Sequence, residues 1–198
     1  MKGTCSLNPR IIINELGLNC EFETIDRETK KTESGVDYKT LNSKGTVPAL
    51  MLENGVVLTE GAIIVQYLAE SNKAYNLLPQ GADMKRYRVL EWMNFIATEI
   101  HKSCSPLFNK NVHDDVKATV FAVNLKAKLA FVNTAIALKE YLVNEQFTLA
   151  DAYLFVILSW MPHLGIDLSE YTNLDRYFKA LKTRPSIAKS LKDEGLGG

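Results

Sequence analysis

The N-terminal half of this chain is organised around Gly45-Thr46-Val47-Pro48-Ala49-Leu50-Met51-Leu52, then Glu53-Asn54-Gly55, then Val56-Val57-Leu58-Thr59-Glu60-Gly61. Two short apolar runs flank Asn54-Gly55. This pair is the commonest signature of a two-residue hairpin turn, because both of its residues must adopt positive φ. The residues after Gly61 continue as an apolar run typical of a helix. The sequence therefore predicts a β-hairpin that passes directly into a helix.

Pro48 stands at the start of the first apolar run, where a strand needs no N–H from it. Base rates favour a trans bond before it and an ordinary hairpin. The alternative is a cis bond, which would leave the N–H and C=O of Val47 facing a cleft, free to pair with an extended peptide-like ligand. The N-terminus of the following helix would suit a carboxylate, and Glu60 would suit an ammonium group.

Composition and charge exclude several classes of protein. Of the 198 residues 46% are hydrophobic and 23% charged, with a formal net charge of zero, which indicates a globular protein and no nucleic-acid partner. The chain has no apolar run of the ~18 residues that a membrane span needs and no signal-peptide pattern. Cys5, Cys20 and Cys104 are odd in number and lack metal-ligand spacing, which argues against disulfides and zinc. We expect a cytoplasmic protein with no metal and no membrane partner.

The residues before 72 mix helix and strand signals. Pro9 after Ser6 or Asn8 predicts a helix that ends near Gly17, and the alternation in residues 20–26 predicts a strand. Residues 27–46 are polar and allow at most a short helix around Tyr38–Leu41. Residues 72–83 contain Pro79 and Gly81 and form the best linker candidate.

The residues after the linker show helical periodicity and no convincing strand. We therefore expect an α/β domain at residues 1–73 and an all-helical domain at residues 83–198. The helices are predicted at 84–104, 114–140, 149–160, 173–182 and 185–192.

Phe147-Thr148-Leu149-Ala150-Asp151 is the most specific local signal in the helical half. Thr148 would cap the following helix and Asp151 would answer it three residues later, as in a capping box. The residues that follow are apolar almost all round, which predicts the central helix of the domain. We interpret Thr148 and Asp151 as structural residues.

These motifs, in this order, resemble those of the glutathione S-transferases. The Gly45–Leu50 and Thr59–Gly61 segments look like that superfamily's glutathione site, and Phe147–Leu154 looks like its folding motif. The segments Gly3–Leu7 and Glu91–Lys102 resemble the bacterial beta class. The resemblance implies a thioredoxin-like first domain, a cis Val47–Pro48 bond, a helical second domain with a pocket for an electrophile, and a homodimer.

Cys5 and His101 are the candidate catalytic residues. The field at a helix N-terminus favours a thiolate, so we expect a lowered pKa for Cys5, and the resemblance implies that Cys5 forms a mixed disulfide with glutathione. Asn94 and His101 are seven residues apart and would share one helix face. The resemblance places that face opposite Cys5, with His101 near the glutathione sulfur as donor or base. The alternatives are an inert buried thiol and a structural histidine.

The resemblance also implies a set of glutathione-binding residues. The backbone of Val47 would pair with the cysteinyl part, Pro48 would set the turn, and Glu60 and Gly61 would hold the γ-glutamyl end. Three further candidates are Asn94 and, for the glycyl carboxylate, Lys30 and Lys102, although surface lysines are usually just solvated.

The sequence departs from the family pattern in three places. Asn42-Ser43 replaces Asn-Pro in a loop, and Gly61 stands where many relatives have serine, so one hydrogen bond to the γ-glutamyl carboxylate is missing. Only Met1–Thr4 precede Cys5, where relatives carry a central strand. We expect that the true start lies upstream of Met1 or, alternatively, that the chain is trimmed. A chain beginning at Met1 should bind glutathione weakly, because its sheet would leave backbone groups unpaired.

The first functional hypothesis is a beta-class-like detoxification enzyme that adds the thiolate of glutathione to small electrophiles. Glutathione-dependent reduction of disulfides or peroxides through Cys5 is a closely related one. The competing class is a non-catalytic protein that uses the same fold for binding. The presence of Cys5, Glu60 and His101 favours the enzyme.

Overall fold

The structure, a computed structural model, describes residues 2–143 and 145–197. Contacts divide them into two units: one holds the residues up to Ala74 together with those from Arg184 onward, and the other holds the residues from Tyr75 to Thr183. The expected domains, 1–73 and 83–198, stay a prediction about which parts fold independently. In the structure the last helix packs with the first unit.

The elements occur in the order that the sequence predicts, an α/β part followed by helices. In chain order they are α1 (Leu7–Glu15), α2 (Tyr38–Leu41), β1 (Ala49–Met51), β2 (Val57–Thr59), α3 (Gly61–Ser71), α4 (Met84–Phe95), α5 (Lys102–Phe108), α6 (Asp114–Val116), α7 (Ala122–Ala135), α8 (Leu149–Leu158), α9 (Thr172–Lys182) and α10 (Pro185–Asp193).

The predicted hairpin is present, but its turn differs from the expected one. Strands β1 and β2 pair antiparallel, with Ala49 opposite Thr59 and Met51 opposite Val57. The N–H of Leu52 donates to the Val56 carbonyl, and the N–H of Gly55 to the Leu52 carbonyl. This register leaves three loop residues, so only Gly55 needs positive φ (81°). The two-residue turn was therefore wrong, since a three-residue loop takes a type I turn followed by a left-handed glycine.

The strand expected at residues 20–26 is not formed. Among the described residues of this segment only Ile25 pairs, in an isolated bridge with Thr32. The described sheet consists of β1 and β2. Alternation of polar and apolar residues predicts an extended backbone, but a strand also needs a neighbour, which the pattern cannot supply.

The last helix covers the first one within the first unit. The guanidinium of Arg184 and the hydroxyl of Ser186 both donate to the Glu15 carboxylate. The side-chain amide of Asn14 donates to Ser190 Oγ at 2.8 Å. These contacts, together with the buried Ile11 and Ile12 of α1, hold α10 against the helix that follows Cys5.

The second unit is built around α8, whose ten residues are all buried. The capping box at its start is confirmed, with Thr148 and Asp151 as the reciprocal pair. Asp151 also accepts from the Leu142 N–H and the Tyr177 hydroxyl. The described helices include none long and apolar enough to cross a membrane.

A π-helical segment, Ile96–His101, joins α4 to α5, and another, Lys117–Phe121, joins α6 to α7. The helix predicted at 84–104 therefore exists but is not regular. Single turns of π-helix inside α-helices occur frequently at functional sites, and here one of them ends at His101.

Candidate active site

Cys5 lies in the turn that leads into α1, as the sequence predicts. The N–H groups of Leu7 and Asn8 donate to the carbonyls of Thr4 and Cys5, at 3.0 and 3.2 Å. These bonds place the Cys5 side chain just before the first helical residue. Its thiol donates to the carbonyl oxygen of Val47, 3.0 Å away. The turn and the segment that precedes β1 are thus joined through the sulfur.

The pKa of Cys5 shifts in the direction opposite to the expected one. Burial raises the pKa of this thiol to about 11, and the negative charge of Glu60 adds to the increase. The backbone N–H groups of Cys5 and Ser6 favour the thiolate, as a helix start should, but they do not outweigh the burial. Desolvation of the charged form outweighs the local helix field here.

The Val47–Pro48 peptide bond is cis. Two donors hold the residue before it: the hydroxyl of Tyr38 and the side-chain amide of Asn42 both donate to the Thr46 carbonyl at 2.7 Å. Tyr38 and Asn42 are each only 4% exposed. Neither residue was expected to support the turn. The available signal was an asparagine three residues before the Gly-x-x-Pro segment, because asparagine side chains often hydrogen-bond to nearby backbone groups in turns.

Glu60 and Gly61 form the start of α3. Glu60 has a φ of 69°, a left-handed conformation that is strained for a residue with a side chain. A Cβ on Gly61 would lie 3.4 Å from Pro48 Cγ and 3.9 Å from the Cys5 carbonyl oxygen. The N-terminus of α3 therefore lies against both Pro48 and the Cys5 turn, at distances that are ordinary van der Waals contacts. The structure brings Cys5, Val47, Pro48 and Gly61 together.

Lys44 is a member of this group that the sequence analysis missed. Its ammonium group donates to Glu60 Oε1 at 2.6 Å and to Thr59 Oγ1 at 2.9 Å. The Glu60 side chain is 61% exposed, so the pair is accessible to solvent. Lys30 contacts Tyr38, a support of the turn, through its backbone: the Lys30 carbonyl accepts from the Tyr38 N–H at 2.8 Å. A contact of the Lys30 ammonium group with a ligand stays a prediction.

His101 is the best-defined candidate in the second unit. Its Nδ1 atom lies 2.8 Å from the Tyr153 hydroxyl, and the Trp160 ring packs against it at 5.0 Å between centroids. Burial lowers the pKa of His101, and the positive charge of Lys102 lowers it further. The imidazole is therefore neutral at pH 7, and its contact with Tyr153 orients the ring.

Asn94 and Lys102 are both exposed, while His101 is largely buried. The expectation that Asn94 and His101 share one face holds for a regular α-helix. It no longer follows here, because the i→i+5 hydrogen bonds of the π segment between them shift the angular phase of the helix. The roles of Asn94 and Lys102 in binding stay predictions.

The three cysteines are free thiols. Cys104 is fully buried, and burial raises its pKa to about 12, so it has the character of an inert packing residue. Residues 2–143 and 145–197 contain no group of three His, Cys, Asp or Glu side chains that could hold a metal ion.

Two family models match the chain: the N-terminal domain of glutathione S-transferases over residues 4–71, and their C-terminal domain over residues 95–185. Glutathione S-transferase GstA of Escherichia coli O157:H7 is 39% identical over 98% of this chain and 96% of its own length.

Two solved structures are similar over nearly the whole chain. A sphingomonad glutathione S-transferase complexed with glutathione superposes with a TM-score of 0.94, at 38% identity over 98% of this chain and 96% of that one. The bacterial beta-class enzyme of Sphingomonas chungbukensis gives a TM-score of 0.94 at 37% identity, with the same shares covered.

Proposed function

Because this chain belongs to the glutathione S-transferase family and is itself a glutathione S-transferase, we propose that it joins the thiolate of glutathione to small, mostly apolar electrophiles. The observation that carries the proposal is that Cys5, Val47, Pro48 and Gly61 lie together in the first unit. The Cys5 thiol lies 3.0 Å from the Val47 carbonyl, and Gly61 brings the start of α3 against Pro48 beside them. A peptide-pairing backbone, a thiol and a helix N-terminus are what a γ-glutamyl tripeptide with a thiol requires.

Glutathione would bind in an extended form along this group. The N–H and C=O of Val47 pair with its cysteinyl residue, and the N–H groups at the start of α3 receive its γ-glutamyl carboxylate. The Glu60 carboxylate receives the ammonium group of the γ-glutamyl residue. Lys44 already donates to this carboxylate in the free protein, so the two ammonium groups must share it. Glutathione bound to the sphingomonad relative supports this proposal.

Conjugation forms a bond between the glutathione sulfur and an electrophilic carbon. The thiol proton leaves to a base, and with a chlorinated substrate the carbon–chlorine bond breaks and chloride departs. In our proposal the protonated Cys5 thiol donates a hydrogen bond to the glutathione thiolate and so stabilises it. His101, neutral and held by Tyr153, is the proposed acid–base residue.

Two assays on the native protein test this function. One measures the conjugation of glutathione to a chlorinated nitrobenzene, and the other measures the reduction of a mixed disulfide by glutathione. We expect conjugation in the native protein and a loss of about tenfold in Cys5→Ala, the scale of one removed hydrogen bond to a charged sulfur. Reduction that depends on Cys5, without conjugation, would favour the redox chemistry. Absence of both activities would contradict the proposal.

We also propose that the enzyme is a cytoplasmic homodimer. Its free thiols suit a reducing compartment. Each unit exposes large apolar side chains: Met51, Val56, Ile63 and Tyr67 in the first, and Val116, Val120, Val123 and Phe131 in the second. Exposed apolar groups of this kind suit a subunit interface. Sedimentation velocity should give a dimer for the native protein and a monomer after Val123→Glu with Phe131→Glu; a monomeric native protein would overturn the proposal.

A further inference from the structure

Glu194 is a buried carboxylate that the glutathione-binding residues do not include. It follows α10 directly, and its side chain is only 6% exposed. Oε2 accepts from the backbone N–H of Gly3 at 2.7 Å, and Oε1 accepts from Arg10 Nε at 3.2 Å. A charge this well buried is tolerated because both of its oxygens have donors.

The two partners of Glu194 stand on either side of Cys5. Gly3 is two residues before it, and Arg10 is five residues after it, in α1. Gly3 has a φ of 64°, a left-handed conformation that glycine adopts readily, and it is this residue whose N–H donates to Glu194. One carboxylate therefore joins the beginning of the Cys5 turn to the helix that follows the turn.

The end of α10 holds Glu194 in place. The N–H of Leu196 donates to the Leu191 carbonyl at 2.8 Å, and that of Gly195 to the Lys192 carbonyl at 2.9 Å. This is a Schellman motif, with Gly195 in the left-handed conformation (φ 70°) that the motif requires. The motif also brings Leu196 Cδ1 to 3.4 Å from the point where a Cβ on Gly3 would lie. The contact with the Cys5 turn is thus made by an ordered helix cap.

We propose that Glu194 is a positioning residue for Cys5: its carboxylate sets the conformation of the turn that carries the thiol, and so keeps the sulfur against the Val47 carbonyl. Glu194 acts through the turn and touches no substrate. The inference rests on the proposed function only in assigning a catalytic role to Cys5. Loss of the carboxylate removes one hydrogen bond from the Gly3 N–H and the ion pair of Arg10. The turn then shifts, and the thiol moves away from Val47 into water.

The test measures the alkylation rate of Cys5 by iodoacetamide in the full chain, from pH 7 to 11, by peptide mass spectrometry. N-acetylcysteine in the same reaction is the reference thiol. The variants are Glu194→Ala, Glu194→Gln and, as matched control, Glu91→Gln, which removes an exposed carboxylate that pairs with Arg88. Thermal unfolding is measured in parallel.

In Glu194→Ala the relative rate at pH 8 should rise about tenfold, and the midpoint of the pH profile should fall, because a solvated thiol ionises more readily. Glu194→Gln, whose amide oxygen can replace one of the two acceptors, should give a smaller rise of at least about threefold. Glu91→Gln should match the native protein. A purely structural role would lower the unfolding temperature without moving this profile.

A folded Glu194→Ala variant whose Cys5 profile stays within twofold of the native one would overturn the proposal. If Glu194→Ala does not fold, the isosteric Glu194→Gln is used instead, and a Cys5 profile within twofold of the native one overturns the proposal. The alkylation result does not depend on transferase activity. If Cys5→Ala conjugates at the native rate, the catalytic role of Cys5 fails, while the alkylation profile still decides the role of Glu194.

Discussion

The thiol of Cys5 donates a hydrogen bond to the carbonyl oxygen of Val47, 3.0 Å away. The same carbonyl is one of the two backbone groups that we propose for pairing with the cysteinyl part of glutathione. A carbonyl oxygen has two lone pairs, so it can accept from a ligand N–H and from the Cys5 S–H together. In our proposal the Cys5 S–H turns from this oxygen to the glutathione sulfur once glutathione is bound, so substrate binding and the availability of the thiol are linked.

Cys5 should be less reactive than Cys20 in the free protein. Burial raises the pKa of Cys5 to about 11, so the folded protein keeps this thiol protonated at neutral pH and the thiolate appears only as the pH rises toward that value. Cys20 is half-buried, and its pKa is raised by a weaker burial that Arg10 opposes. Iodoacetamide at pH 8 should therefore label Cys20 first. Faster labelling of Cys5 would show that the helix field prevails after all.

His101 should make the protein less stable in acid. The folded-state pKa of His101 is lowered from the ordinary value of 6.5, so the unfolded chain binds the proton more readily below that pH. The full stability is present above pH 6.5, the ordinary pKa of histidine. It decreases as the pH falls from 6.5 toward the lower pKa of the folded state. Urea unfolding at pH 7 and pH 5 measures how much the free energy of unfolding falls between the two pH values. This decrease should be smaller for His101→Gln than for the native protein. Equal losses would contradict the shift.

Gly61→Ser should strengthen glutathione binding. A hydroxyl at the start of α3 could donate to the γ-glutamyl carboxylate, and one such bond is worth about 1 kcal/mol, or about fivefold in affinity. The new Cβ meets Pro48 Cγ at 3.4 Å, which opposes part of the gain. Gly61→Ala carries the same Cβ without the hydroxyl and is the matched control. Isothermal titration with glutathione should give tighter binding for serine than for alanine; equal affinities would exclude the hydroxyl contact.

Asp151→Asn should destabilise the protein by about 3 kcal/mol. The fully buried carboxylate accepts from four donors: the Thr148 N–H and hydroxyl, the Leu142 N–H and the Tyr177 hydroxyl. An amide nitrogen in place of one oxygen would face donors, which leaves buried groups unsatisfied. Asp175→Asn, in the first turn of α9, removes a pair with the exposed ammonium group of Lys179 and should cost no more than about 1 kcal/mol. Similar urea midpoints for the two variants would refute the capping role.

Two buried asparagines should respond differently to leucine. Neither polar atom of the Asn8 side chain has a hydrogen-bond partner among the described residues, although it is only 1% exposed. Asn8→Leu should therefore leave the free energy of unfolding unchanged or raise it by about 1 kcal/mol. Asn42→Leu, which removes the donor to Thr46, should lower it by about 2 kcal/mol. A loss at Asn8 as large as that at Asn42 would mean that Asn8 is paired.

Elements that depend on neighbours in the sequence were predicted well. The helices of the second half, α1, α3 and the capping box at Asp151 were recognisable from periodicity and end signals, because these depend on contacts within about four residues. For α2 the sequence allowed a short helix without a signal that required one. The strand at 20–26 failed, since a strand exists only when a second one lies beside it. The hairpin was correct, but its loop was one residue longer than the Asn54-Gly55 pair suggested, because register is set by the strands.

The candidate site shows the same division. Cys5, Val47, Pro48 and Gly61 were named from motifs, and the structure brings them together. Lys44, Tyr38 and Asn42 were missed, because their contacts with Glu60 and Thr46 depend on how the loop folds back.

The sequence by itself determined the family, the order of the elements and the residues with the right chemistry, since each of these is encoded in short motifs. Only the tertiary structure decided the protonation and the hydrogen-bond partners of those residues. Cys5 has the position at a helix start that favours a thiolate, yet burial against Val47 keeps it protonated. Glu194 lies 189 residues beyond Cys5 in the chain and nevertheless joins both sides of its turn. Burial and long-range pairing depend on which surfaces meet, and no local pattern of residues records that.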